Sequence, residues 1–368
     1  MKPSSFRLER FFGRYEFAVP HLLAASDSES VTVADLLAGA PDGEDRLRSL
    51  WLGYTESTGA PDLRAAIAGI YERRSSDEVL VCAGAEEAIF AFVHGVLSPG
   101  DHVIVQWPCY QSVMELPASI GCDVTRWVMD ASRGWTPDVD ALAAAIRPTT
   151  KALFINTPHN PTGYHFPRAA FDRVLALARH HGLLVFSDEV YRELEHDPAT
   201  RLPAACDVYE HAVSLGVMSK SYGLAGLRIG WVATSRADVR EAMVAMKDYL
   251  TICSSAPSEL LATIALGQRE RLVARNRAIA VENVAALDAF FGRHPELFAW
   301  ARPHAGPIAF PRLLGGRDAD AFCADLIARA GVMLAPGSLF DHPGHFRIGF
   351  GRRRMVEALR ALEAALPT

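Results

Sequence analysis

No apolar run in this 368-residue chain reaches the roughly 20 residues that a helix needs to cross a bilayer, so the sequence offers no membrane-spanning segment. The stretch "MKPSSFRLERFFGRYEF" breaks its apolar residues with charges and has no signal-peptide core. The six cysteines, at 82, 109, 122, 206, 253 and 323, form no C-x-x-C pair, which argues against a dithiol or zinc motif. They read as reduced thiols packed as small hydrophobes, and the expected compartment is the cytoplasm. Positive charge is short as well: 37 Lys and Arg against 43 Asp and Glu give a net charge of −6, which leaves no footprint for nucleic acid. The one basic run, Arg352 to Arg354, reads as a solvated helix end. Neither G-x-S-x-G nor a Walker loop is present, and the first strand lacks the glycine fingerprint and ribose-binding acid of a dinucleotide site. "ELEHD" (193 to 197) and "DHPGH" (341 to 345) hold metal-capable side chains but read as solvated loops, so no metal is expected.

What is present is an ordinary globular balance, 50% hydrophobic and 22% charged, in a chain long enough for two packed domains. From about residue 78 a short apolar run, a polar break and a helical segment recur. "EVLVC" precedes "AGAEEAIFAFVHGVL", "HVIVQW" precedes "PCYQSVMELPASIG", and "KALFIN" precedes "AAFDRVLALARHHG". "LLVFS" precedes "DEVY", and "AVSLGVM" precedes "SKSYGLAG". Such alternation predicts an α/β fold with a mostly parallel sheet flanked by helices, because parallel strands need crossovers and bury both faces. After Trp231 long amphipathic helices and then short strands predict a smaller α+β domain. The expected division is an arm at 1–47 packing on the small domain, a large domain at 48–245 and a small domain at 246–368.

Ligands of parallel α/β sheets sit beyond the carboxyl ends of the strands, where loops meet and helix N-termini point. Just past five successive strands stand Gly84-Ala85-Glu86, Tyr110, Asn160, Asp188 with Tyr191, and Ser219 with Lys220. Each has an ordinary structural reading: Asn160-Pro161-Thr162-Gly163 makes a good turn, and Asp188 could cap a helix. Together they supply an amine able to form an imine, a carboxylate for a pyridinium proton, hydrogen-bond donors for a phenolate oxygen, a ring to stack and a phosphate cradle. That inventory fits pyridoxal 5'-phosphate.

With "LGYTESTGAPDLRAAIAGIYE", "NTPHNPTG", "SDEVY", "SKSYGLAGLRIGW" and "FRIGF" in this order, the chain resembles the class I/II aminotransferases of the fold-type-I pyridoxal-phosphate superfamily. The resemblance implies that Lys220 forms the Schiff base and then moves protons as a general acid/base, with Asp188 holding the pyridine nitrogen protonated. It implies that Asn160 and Tyr191 donate to the phenolate oxygen and that Tyr110 stacks on the ring. Gly84, Ala85 and Glu86 at a helix N-terminus, Ser219 and Arg228 would hold the phosphate. Tyr54 would reach the phosphate of a partner subunit, implying a homodimer with shared sites, and Arg347, with Asn160, would bind the substrate carboxylate. The implied reaction is transfer of an amino group from an L-amino acid to a 2-oxo acid. The alternative is elimination or ring closure, since "KDYLTICSSAPSE", "PHAGPIAFPR" and "LAPGSLF" are similar to capreomycidine synthase-like members. Two departures leave the substrate's side chain open. Val217 stands where the family often has a phosphate-binding hydroxyl, and "VPHLLAASDSES" (19 to 30) replaces the segment that usually approaches the substrate.

Overall fold

The computed structural model describes residues 2–366. The five apolar runs read as strands are Val79–Cys82 (β1), His102–Trp107 (β2), Thr150–Asn156 (β5), Leu184–Asp188 (β6) and Ala212–Val217 (β7). Asp123–Asp130 (β3), Thr136–Pro137 (β4) and Gly230–Ala233 (β8) join them. Among the described residues they form one eight-stranded sheet in the order β1-β8-β7-β6-β5-β2-β3-β4. The strands from β7 to β3 run parallel, β8 is antiparallel to both of its neighbours, and β4 is an antiparallel edge. The register sets Asn156 beside Asp188 and Asp188 beside Leu215, so β5 and β6 end level and β7 runs on to Val217.

Alternation along the strands decides what each face buries. Phe154 and Phe186 point to the side covered by the Ala85–Val96 and Ala237–Lys247 helices, where Phe92 lies 5.7 and 4.7 Å from their ring centroids. Leu153, Ile155 and Val185 point the other way, onto Phe171, Val174 and Leu175 of the Arg168–His180 helix. The segments after β6 and β7, expected to be helical, turn instead. Asp188 accepts the backbone N–H of Val190 at 3.2 Å, an Asx-type turn that competes with a helix start. The buried Glu189 carboxylate takes the Ala205 N–H and the Ser214 hydroxyl, each at 2.8 Å. Only a single 3₁₀ turn, Ala225–Leu227, follows Lys220.

A separate core lies under the Arg269–Arg293, Ala319–Ala330 and Met355–Ala364 helices, where Leu287, Phe290, Leu326 and Leu362 pack against Phe346 and Ile348. The long apolar pattern from 258 to 294 is two helices, Ala256–Leu266 and Arg269–Arg293, broken at Gly267-Gln268. The expected domain divisions at 47/48 and 245/246 lie inside the Gly43–Arg48 and Ala237–Lys247 helices.

The N-terminal segment forms a helix at Arg7–Tyr15, then pairs His21–Leu22 in parallel with Val332–Met333. Leu23 and Ala24 are fully buried, and the chain runs on against Phe346–Gly351 through hydrogen bonds of Gly349 N–H to Leu23 and of Glu29 N–H to Gly351. A Cβ at Gly349 would lie 1.7 Å from the Ala25 carbonyl oxygen and one at Gly351 2.2 Å from that of Asp27, so only glycine admits this approach.

Candidate functional site

A cavity of about 370 Å³ opens beyond the carboxyl ends of β5, β6 and β7. It brings together Ala85, Glu86, Tyr110, Asn160, Asp188, Tyr191, Ser219, Lys220, Arg228 and Arg347, as expected from the sequence, with Gly84 at its edge. Tyr54 is the exception. It is 84% exposed and outside the cavity wall of the single chain.

Lys220 extends into the cavity and donates to the Ser26 hydroxyl at 2.9 Å, with its ammonium 5.9 Å from the Tyr191 ring centre. Burial pulls this amine down to about 8, Asp27 raising it and Arg347 lowering it. Asp188 ends β6, and burial lifts its carboxyl to about 7 against the Val190 hydrogen bond and the Lys220 charge. A buried acid that resists ionisation is matched to a cationic partner, and a protonated ring nitrogen is one. The Tyr191 hydroxyl donates to the Ser26 carbonyl at 3.0 Å, and that of Tyr110 to Glu9 at 2.8 Å.

The anion cradle follows from local geometry. Gly84 has φ of +90° and caps the Ala85–Val96 helix, and a Cβ there would come within 2.5 Å of the Arg228 guanidinium. Lack of a side chain thus lets a fixed cation lie across free helical N–H groups, a pairing that suits phosphate. Arg228 adopts φ of +54°, rare outside glycine, and no carboxylate is in ion-pair distance of it among the described residues. The Glu86 side chain takes the Ser112 hydroxyl at 3.0 Å, and burial raises it to about 7. At the opposite end Arg347, 1% exposed, donates to Asn160 at 3.2 Å and to the Ala24 carbonyl at 2.9 Å. Its Nε is buried with no hydrogen-bond partner among the described residues, and the guanidinium lies between the Phe12 and Phe340 rings.

Sequence reasoning missed the roof. Glu9, Phe12, Glu16, Ser26, Asp27 and Arg352 also line the cavity. Arg352, expected to be solvated, makes a two-bond ion pair with Asp27 at 2.8 and 3.0 Å, because the arm carries Asp27 to it. The signal lay in "VPHLLAASDSES", and in glutamates at 9 and 16 flanking Phe12 at helical spacing. Two loops expected to be solvated are packed inside. Glu193 and Glu195 are 4% and 1% exposed, and Arg201 pairs with both while Arg269 also binds Glu193. His345 is 6% exposed and stacks on Phe310, with His342 edge-on to both His345 and Trp135. Among the described residues no group of three or more His, Cys, Asp or Glu could hold a metal, and no helix is long and apolar enough to cross a membrane.

The donor set fits pyridoxal 5'-phosphate in charge and in order: an anion cradle at the helix start, a desolvated acid and amine in the middle, a guanidinium beyond. The surrounding α/β architecture is that of the aspartate aminotransferase-like enzymes. The model of the family described as "Aminotransferase class I and II" matches residues 25–362, and the chain belongs to this family of pyridoxal-phosphate enzymes. It is 29% identical over 350 residues to capreomycidine synthase of Streptomyces vinaceus, covering 94% of this chain and 90% of the relative. It is 33% identical over 302 residues to a probable N-succinyldiaminopimelate aminotransferase of Mycobacterium tuberculosis, covering 79% and 75%. A pyridoxal-phosphate-dependent aminotransferase from Streptococcus suis superposes with a TM-score of 0.94 at 30% identity, covering 100% of this chain and 98% of the other.

Proposed function

We propose that the protein is a transaminase that takes the amino group of an L-amino acid and passes it to a 2-oxo acid, with Lys220 as the residue joined covalently to pyridoxal phosphate. The observation that carries this reading is the convergence of Lys220, Asp188 and Arg347 in one cavity. Bound there, the cofactor supplies an electron sink for the pair left when the substrate Cα loses its proton. Asp188 would hold the ring nitrogen, Asn160 and Tyr191 the phenolate oxygen, and Tyr110 the ring face. Gly84, Ala85, the backbone of Glu86, Ser219 and Arg228 would hold the phosphate. Arg347 would clamp the substrate carboxylate as a guanidinium fork. The Lys220 amine, lowered to about 8, is near the range where a base both accepts and returns a proton at neutral pH. Ser26 stands within hydrogen-bond distance to orient it.

A homodimer completes the reading. Tyr54, Trp51 and Leu52 are 84%, 77% and 77% exposed, an apolar group suited to a second subunit and to carrying Tyr54 into its site. The cytoplasm is the proposed compartment, supported by six free cysteines, five of them buried.

A second reading, elimination or ring closure on the same cofactor, is supported by the similarity to capreomycidine synthase across nearly the whole chain. One experiment separates the two. The purified holoenzyme is mixed with an amino acid and no 2-oxo acid, and its absorbance is followed through a single turnover. Transamination leaves the cofactor as pyridoxamine phosphate, whereas elimination or cyclisation returns it to the aldehyde form, which would overturn the transaminase reading.

A further inference from the structure

The arm sets a hydroxyl and a carboxylate side by side at the Lys220 amine, and only the hydroxyl reaches it. Ser26 accepts from the Lys220 Nζ at 2.9 Å. Asp27 also lines the cavity and, of the charges around it, weighs most on that amine, yet Lys220 makes no ion pair among the described residues. Arg352 accounts for this. Its guanidinium binds both oxygens of the Asp27 carboxylate, at 3.0 and 2.8 Å.

Neighbouring contacts fix both partners in place. Before Ser26 the Ala24 carbonyl receives Arg347 at 2.9 Å, the Ser26 carbonyl receives the Tyr191 hydroxyl at 3.0 Å, and beyond it the Glu29 N–H bonds to Gly351 at 2.8 Å. On the facing segment the buried Asn283 amide donates to the carbonyls of Phe350 and Arg352, at 2.8 and 2.9 Å. The positions of Ser26, Asp27 and Arg352 therefore do not depend on Lys220.

A lysine that moves a proton has to be held both as the ammonium and as the neutral amine. A carboxylate only accepts, so it holds the ammonium and opposes loss of the proton, whereas a hydroxyl accepts from the ammonium and donates to the lone pair of the amine. We propose that Ser26 is a catalytic residue that holds the Lys220 nitrogen with and without its proton, and that Arg352 is a positioning residue that keeps the Asp27 carboxylate off that nitrogen. When Lys220 takes up a proton, the Ser26 hydroxyl turns from donor to acceptor and loses no proton of its own. The inference rests on the reading of Lys220 as the cofactor's lysine. Arg347, Asp188, Glu9 and Glu16 also act on the amine, which faces the Tyr191 ring, and Glu86, Tyr110 and Arg228 share the cavity. The variants below leave all of these in place.

The test follows the amine itself. Full-length protein freed of cofactor is treated with formaldehyde and cyanoborohydride, which methylate neutral amines, and modification of Lys220 is measured against pH by peptide mass spectrometry. Its midpoint in the unaltered protein is expected at about 8. Arg352→Gln frees Asp27 to pair with the ammonium, so the midpoint moves up and modification at pH 7 slows about tenfold. Adding Asp27→Asn to the same chain should cancel that rise. Ser26→Ala removes an acceptor that favours the ammonium, so the midpoint moves down and modification at pH 7 quickens about threefold, with Ser26→Thr restoring it. A midpoint unmoved by Ser26→Ala or by Arg352→Gln overturns the proposal, as does a rise that persists in the double variant. Melting temperatures show which variants fold, and Ser26→Ala, which breaks no ion pair, decides alone if Arg352→Gln does not fold. Pyridoxal phosphate should shield Lys220 from methylation in the unaltered protein. If it shields no lysine, or another one, the cofactor reading falls and the proposal with it; shielding of Lys220 with unmoved midpoints removes the proposal alone.

Discussion

Gly230→Ala tests whether the anion cradle is built by backbone contact. Gly230 lies in β8 opposite Cys82 and Val217, and its missing side chain is the space in which the chain from β1 enters the Ala85–Val96 helix. A Cβ at 230 would sit 2.6 Å from the Gly84 carbonyl carbon and 2.8 Å from the Ala85 nitrogen. Ordinary contact begins at 3.4 Å, so the overlap is about 0.8 Å, and it falls on backbone that cannot swing aside as a side chain would. Overpacking of this kind costs about 1–3 kcal/mol. Relief moves the Gly84-Ala85 peptide away from β8, and with it the N–H groups proposed to hold the phosphate. If about 1.4 kcal/mol of that strain appears in binding, the dissociation constant of pyridoxal phosphate rises about tenfold. Titration of the cofactor-free protein, followed by absorbance and by quenching of intrinsic fluorescence, gives the number. Gly226→Ala is the internal control, because nothing lies within 4 Å of a Cβ there. Wild-type cofactor affinity in a folded Gly230→Ala variant would refute the cradle.

Three further outcomes follow from the site. In the cofactor-free protein Asp188, raised from 3.8 to about 7, holds a proton that the unfolded chain has released, so its contribution to stability falls as pH rises from about 4 to 7. Denaturant melts of Asp188→Asn should lack that decline, and an unchanged slope would remove Asp188 from the desolvated centre. Lys220 has the opposite sign: with its amine lowered to about 8 from 10.5, the unfolded chain binds more protons across that interval, and Lys220→Met should abolish a gain in stability between pH 8 and 10.5. Sedimentation should show a dimer, and Tyr54→Phe should weaken cofactor binding in it about three- to tenfold, the worth of one hydrogen bond; a monomer with full cofactor affinity would count against the shared site.

The large sheet was legible because parallel strands buried on both faces leave apolar runs between turn residues, as in "KALFIN" and "LLVFS". β8 and β3 were harder to read. β8 is four residues directly after a glycine-rich turn, and only Trp127 and Met129 of β3 are buried. Much of the floor could be read because Gly84 to Glu86, Asp188, Ser219 and Lys220 stand at or just past strand ends, whereas Arg228, two residues before β8, and Arg347, inside the strand Phe346–Gly349, were found from the motifs around them. The roof could not be read, since it depends on contacts such as Lys220 to Ser26 and Arg352 to Asp27, 194 and 325 residues apart, for which no local pattern exists. The buried pairs of Glu193 and Glu195 with Arg201 and Arg269 were hidden for the same reason. Charges look solvated until their partners are placed.

The arm's pairing also orders the birth of the molecule. The backbone-to-backbone hydrogen bonds of the stretch at 21–29 run to residues 331–351, so ribosomal synthesis must deliver about 300 further residues before that pairing can form. Until then the hollow lacks its roof, and this stretch is among the last to settle.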